Sequence, residues 1–211
     1  MNTLENFGYD AKNFINLENW EDTLYAPENM FCFFSHLLET EELHGKVVKS
    51  HYDGYFMLPC IPMLYEHGFR FFYIYRNVDA VMMSFMKHIK SLPWHAGPVC
   101  ETMQEFRNAQ PYGSCMRYQF FQYATMESRW NGHVKSWFNM PDEIKGKVCF
   151  IMYEELDSLF DDVVQNQIAP YLDMAPPENI KRPVKWNQVI IDGKFLVDTS
   201  QDEQNNQKSV G

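Results

Sequence analysis

An apolar run that stops at an arginine and turns at once into a helix start is the strongest constraint on this chain. It reads Phe71-Phe72-Tyr73-Ile74-Tyr75-Arg76-Asn77-Val78-Asp79. A short run rich in aromatics has the length and composition of a buried strand. Asn77 suits a helix N-cap, and Asp79 suits the first helical turn. Arg76 is then expected at the carboxyl end of a strand, beside a helix N-terminus. Open α/β sheets collect anionic ligands at that place. Ser84 falls about two turns into the helix, where it and Arg76 are expected to share one phosphate. The plain alternative is an ordinary strand–helix junction with a surface arginine.

The rest of the chain supplies further strands and helices in alternation. Residues 1–26 are polar with scattered aromatics and are expected to form a helix or irregular arm. A helix is expected over 30–43, where Phe31, Phe34, Leu37 and Leu38 recur at helical spacing before Gly45. The reading continues with a strand at 47–50, a turn at 52–55, a short helix at 62–67, a strand at 69–75 and a helix at 77–90. A long connection over 91–112 carries a short helix at 102–109; connections of that length are more often functional than idle. A helix over 114–138, a strand over 147–153 and a helix over 154–172 follow, and Pro176-Pro177 then breaks the chain. A short hairpin-like arm is expected within 178–197. The stretch 198–211 lacks core residues and is expected to be a disordered tail. Alternating strands and helices predict an α/β fold, three layers α/β/α around a central parallel sheet, in one domain over 1–197.

Composition narrows the functions. A net charge of −10 argues against a general nucleic-acid or acidic-membrane binder, because phosphate backbones attract basic surfaces. The five cysteines are an odd number with no close pair, which suggests neither a disulfide framework nor a zinc knuckle. No apolar run approaches the roughly 20 residues of a membrane span, and the acidic N-terminus does not read as a signal peptide. A reduced, cytoplasmic setting is expected, with a small-molecule ligand and no metal. The oligomeric state is not readable.

Three more segments bear on chemistry. Lys46-Val47-Val48-Lys49-Ser50-His51 is a short strand ending in Lys-x-His. Trp130-Asn131-Gly132-His133-Val134-Lys135-Ser136-Trp137 is a tryptophan-bracketed helix end. Val148-Cys149-Phe150-Ile151-Met152-Tyr153-Glu154-Glu155-Leu156 is a strand running into Tyr-Glu-x-Leu. His51 follows its strand directly and titrates near neutrality, as a general base for a hydroxyl should; a solvent-facing loop histidine is the bland alternative. Lys49 lies two residues earlier, on the same side of the strand. Two tryptophans and a valine at helical spacing around His133 are expected to be core packing.

In this order, the four segments resemble the sulfotransferases that use 3′-phosphoadenosine 5′-phosphosulfate (PAPS) as sulfuryl donor. The resemblance covers roughly residues 45–172 and implies a P-loop-like fold. It implies that Arg76 and Ser84 hold the 3′-phosphate of PAPS and of its product PAP, that Lys49 steadies the transferring group, and that His51 is the base. Lys181 and Arg182, followed by Trp186, echo the family's second 3′-phosphate contact at shorter spacing and without its glycine. Val78 stands where the family has proline.

One departure is larger. The family's phosphosulfate loop, roughly Pro-Lys-Ser-Gly-Thr-Thr, has no counterpart in these residues. Gly8 and Gly45 are far apart, neither adjoins a Lys-Ser or Lys-Thr pair, and no Gly-x-x-x-x-Gly-Lys occurs. Two expectations therefore stand side by side. One is an enzyme transferring a sulfuryl group to a hydroxyl or amine, in an incomplete or inactive form. The other is a non-catalytic relative that binds an adenosine phosphate or a protein partner.

Overall fold

The computed structural model describes residues 2–16, 27–39, 46–92, 96–113, 122–183, 187–191 and 194–198. A 3-10 turn over Asn2–Phe7 leads into β1 (Asp10–Asn16), and α1 (Pro27–Glu39) and β2 (Lys46–Lys49) follow. Two short helices, α2 (Gly54–Met57) and α3 (Ile61–Glu66), lead to β3 (Phe71–Tyr75) and α4 (Val78–Ser91). Next come α5 (Met103–Asn108), α6 (Met126–Phe138), α7 (Asp142–Lys145) and β4 (Val148–Met152). The helical stretch after β4 is α8 (Tyr153–Ser158), α9 (Phe160–Val163), a π turn over Val164–Ile168, and α10 (Ala169–Tyr171). An antiparallel hairpin, β5 (Asn187–Ile191) and β6 (Lys194–Asp198), comes last.

The fold is α/β with parallel strand pairing. β3 pairs with β4 in unbroken register from Phe71 opposite Val148 to Tyr75 opposite Met152, and β1 pairs with β2 across an irregularity. Side-chain alternation gives the β3–β4 pair two covered faces. Phe71, Tyr73, Tyr75, Val148 and Phe150 join a cluster with Phe34 of α1, Tyr52 of the segment after β2, Leu64 of α3 and Trp137 of α6. Phe72, Cys149 and Ile151 join another with Phe160, Val163 and Ile168. Helices therefore pack on both sides of this pair, as the alternation in sequence implied. The described strands form three separate pairs, two parallel and one antiparallel, and β2 is not hydrogen-bonded to β3.

The strand–helix junction is built as the sequence suggested. The Asn77 side chain caps α4 by accepting from the Asp79 N–H at 2.9 Å. Met82 and Ile89 of α4 bury with Phe106 and Met126 in a third cluster. Arg107 ties this layer together. It donates to both carboxylate oxygens of Glu127, at 3.1 and 2.8 Å, and to Asp79 at 2.7 Å.

Several elements differ from the sequence expectations, among them α2 where a turn is expected. Residues 10–16 form a strand; the weak pattern Asp-Ala-Lys-Asn-Phe-Ile-Asn hides it, although Ala11 is buried. The helix expected from 114 begins at Met126, because Thr125 and Ser128 form a reciprocal capping box; residues 114–121 lie outside the described part. The single helix expected over 154–172 breaks at Leu159, with φ −120° and ψ 40°. Ser158 Oγ donates to the Glu154 carbonyl at 2.7 Å just before the break. Pro170 lacks the N–H that would continue the ladder, and the preceding turn widens to π geometry. Last, β6 extends to Asp198, and 199–211 lie outside the described residues. Among the described residues no helix is long and apolar enough to cross a membrane.

Candidate active site

β2 ends at Lys49, and the chain then passes through Ser50, His51 and Tyr52 to Asp53. The buried Asp53 carboxylate caps α2 by accepting from the Phe56 N–H at 3.1 Å. One face of α6 grips this segment. His133 Nε2 lies 3.2 Å from the His51 carbonyl oxygen, Trp137 Nε1 donates to the Tyr52 carbonyl at 3.3 Å, and the Gly54 N–H donates to Ser136 Oγ at 2.7 Å. Residues 133, 136 and 137 fall at i, i+3 and i+4, so they share a face. Gly54 lies so near α6 that a Cβ there would stand 2.6 Å from the Ser136 carbonyl carbon.

His133 is more than packing. Its Nε2 faces a carbonyl, so that nitrogen carries the proton and Nδ1 accepts. Tyr73 Oη lies 3.1 Å from Nδ1 and is its donor. The Tyr73 ring stacks on Trp137, with centroids 4.8 Å apart. Desolvation, then the nearby Arg129 charge, pushes the His133 pKa down to about 4. In the unfolded chain a histidine titrates near 6.5. The native state therefore binds fewer protons than the unfolded state between those values, and stability must fall as pH drops from about 6.5 towards 4. Thermal melts between pH 7.5 and 4.5 should show the midpoint falling, and His133→Gln should flatten that fall. An equal slope in both proteins would remove His133 as its source.

A cavity of about 720 Å³ opens beside this grip. Lys46 to Tyr52 line it without a gap, and so do Phe69 to Ile74. Side chains alternate along a strand, so an uninterrupted run places the cavity along strand edges rather than over one face. Phe34, Leu64, Trp137 and Leu172 make much of the wall apolar, and His133 also reaches it. The volume falls in the range of small-molecule pockets. Lys49 and His51 both line this cavity. Burial lowers the Lys49 pKa. Burial, then Arg129, lowers that of His51, so its imidazole is neutral at pH 7.

Arg76 stands at the end of β3, outside that cavity lining. The β3–β4 register carries Tyr153 and Glu154 alongside it. The guanidinium lies over the Tyr153 ring, 4.6 Å from its centroid, and Nε is 3.7 Å from Glu154 Oε1. The same oxygen accepts from the Asn77 N–H at 3.1 Å. Ser84 is exposed on α4, seven residues beyond the cap, which is roughly 10 Å along the axis. Lys181 is held through its backbone, which exchanges two hydrogen bonds with the Asn6 side chain at 2.7 and 3.0 Å. Arg182 donates to the Asp157 carbonyl at 3.3 Å and lies over the Phe160 ring. Arg76 and Arg182 thus meet opposite ends of α8.

The sequence singled out the Lys49–His51 segment and Arg76. It took the tryptophan-bracketed helix for core alone, although the spacing His133-x-x-Ser136-Trp137 already puts three hydrogen-bonding side chains on one face. From sequence Glu154 is only the start of the helix expected over 154–172, and its pairing with Arg76 depends on a register that neither strand spells out.

The family model described as the sulfotransferase domain matches residues 18–185. The chain belongs to the sulfotransferase family. No curated protein and no solved structure gives a significant match.

Proposed function

We propose that this sulfotransferase-family protein is built to transfer the sulfuryl group of PAPS to a hydroxyl or amine of a small-molecule acceptor. The observation that carries this reading is the meeting of Lys49 and His51 on one largely apolar cavity of small-molecule size. PAPS supplies an activated sulfuryl group whose sulfur–oxygen bridge breaks as the acceptor oxygen or nitrogen bonds to sulfur. His51, neutral at pH 7, takes the acceptor proton. Lys49 steadies the sulfuryl oxygens. Arg76 and Ser84 hold the 3′-phosphate, with a forked guanidinium and a hydroxyl as donors. Lys181 and Arg182 are the candidate second contact, and Arg182 is anchored on the helix that also carries Arg76's partner. The free described cysteines, Cys32, Cys60, Cys100 and Cys149, suit a reducing compartment such as the cytoplasm.

Calorimetry with PAP tests the nucleotide grip. Arg76→Ala should lose about 1.5–3 kcal/mol of binding, the worth of a hydrogen bond to a charged group. Affinity for 5′-AMP should change little. Equal losses for both ligands would refute the assignment of Arg76 to the 3′-phosphate.

A second reading, a non-catalytic binder of an adenosine phosphate or a protein partner, is favoured by one specific observation. These 211 residues contain no Lys-Ser-Gly-Thr-Thr-like stretch. Without it the 5′-phosphosulfate lacks several charge-assisted bonds, each worth about 1.5–3 kcal/mol. These residues alone should therefore transfer little or no sulfate from PAPS to phenols or alcohols in a radiolabel assay. Robust transfer would overturn that expectation and require a substitute donor cradle.

A further inference from the structure

The contacts of Arg76 raise a question that its assigned role leaves open. Its guanidinium already has a carboxylate beside it. Glu154 Oε1 lies 3.7 Å from Arg76 Nε and accepts from the Asn77 N–H at 3.1 Å. These are two of the groups that an incoming phosphate oxygen would use at the β3–α4 junction. The N-terminal end of α4, a helix of 14 residues, adds its partial positive charge there. An anion position is therefore present, and the chain's own carboxylate sits in it.

That carboxylate is poorly held. Arg76 Nε and Glu154 Oε2 are both buried and neither has a hydrogen-bond partner. The pair is close enough to attract and too far apart for a hydrogen bond. A bound phosphate would satisfy Arg76 at a shorter distance, and Glu154 turning outward would gain hydration for Oε2. The other acid at this helix end is differently placed. Asp79 is paired at 2.7 Å with Arg107, which it shares with Glu127. Glu154 is the carboxylate paired with Arg76 itself, so it is the charge that a second anion would displace.

We propose that Glu154 is a built-in competitor for the anion position at Arg76 and sets how strongly a phosphate binds there. This inference rests on the reading of Arg76 as a phosphate contact. The carboxylate fills the position in the free protein, keeps Arg76 partly neutralised, and must swing away for a phosphate to enter. Ligands lacking a phosphate at this position leave it undisturbed.

The test is calorimetry with PAP on the wild type, Glu154→Gln, Arg76→Ala and the double variant. Glutamine keeps the size and the acceptor for the Asn77 N–H but removes the charge. Glu154→Gln should tighten PAP about three- to tenfold, as expected for one partly solvated charge pair. 5′-AMP should bind both proteins equally, and the gain should vanish with Arg76→Ala. Binding by Glu154→Gln alone, with none by the wild type, would support the competitor more strongly still. Equal or weaker PAP binding by Glu154→Gln would overturn it, making Glu154 a strut that orients Arg76. If both proteins bind 5′-AMP and neither binds PAP more tightly than 5′-AMP, the phosphate reading of Arg76 fails, and this inference fails with it.

Discussion

His51→Ala should slow sulfuryl transfer by about 10²–10⁴-fold, the usual worth of a general base, in a form of the protein that carries a donor loop and turns over. A base that removes the acceptor proton acts in the transition state and contributes little to donor binding. PAP affinity measured alongside should therefore stay nearly unchanged. Lys49→Ala should also slow transfer, but with some loss of donor affinity, because in the proposed role its charge faces the sulfuryl group. The burial that lowers the His51 pKa keeps the imidazole unprotonated at neutral pH. Turnover should accordingly hold steady above neutrality and fall in acid as the ring protonates. A variant without His51 that keeps most of its turnover would return this residue to the status of a loop histidine.

Gly54→Ala should be a strongly destabilising small substitution next to the candidate site. The added methyl would meet the Ser136 carbonyl and the Met140 side chain, and the carbonyl is backbone that cannot swing aside. Overpacking of this kind costs about 1–3 kcal/mol. In a chain of this size each kcal/mol lowers the thermal midpoint by roughly 2–4 °C. The control is Gly146→Ala, where a Cβ would meet its nearest neighbour at an ordinary 3.5 Å. Melting curves should separate the two variants clearly. Similar midpoints would mean that α6 and α2 can part without cost, and that the grip on the 51–54 segment is slack.

The legible parts of this fold are those written in local chemistry. β3, α4 and the Asn77 cap follow from an aromatic run and a capping residue next to it. The short helix after Thr102 follows from its capping box with Glu105. The illegible parts depend on partners far away in sequence. β1 has little apolar alternation and exists because β2 pairs with it. The start of α6 is set by a capping box that uses serine where glutamate is usual, so the signal is easily passed over. At the candidate site, the position of His51 at a strand end was readable. The roles of His133, Ser136 and Gly54 were not, because each arises where α6 crosses a segment 82 residues earlier. The pairing of Glu154 with Arg76 is not legible either, because it follows from Tyr75 standing opposite Met152.

The bonds by which α6 holds the 51–54 segment all end on main-chain atoms: two carbonyls and one amide. They fix where the chain runs and are indifferent to the side chain at position 51, which projects from the held segment. Identity and placement are thus separable there. A new functional group could be exchanged in at that position, by mutation over generations or by design, and be presented at the same spot on the cavity wall. The Tyr52 ring, in contrast, is part of the core. Position 51 sets which group is displayed, while its neighbour anchors the frame that displays it.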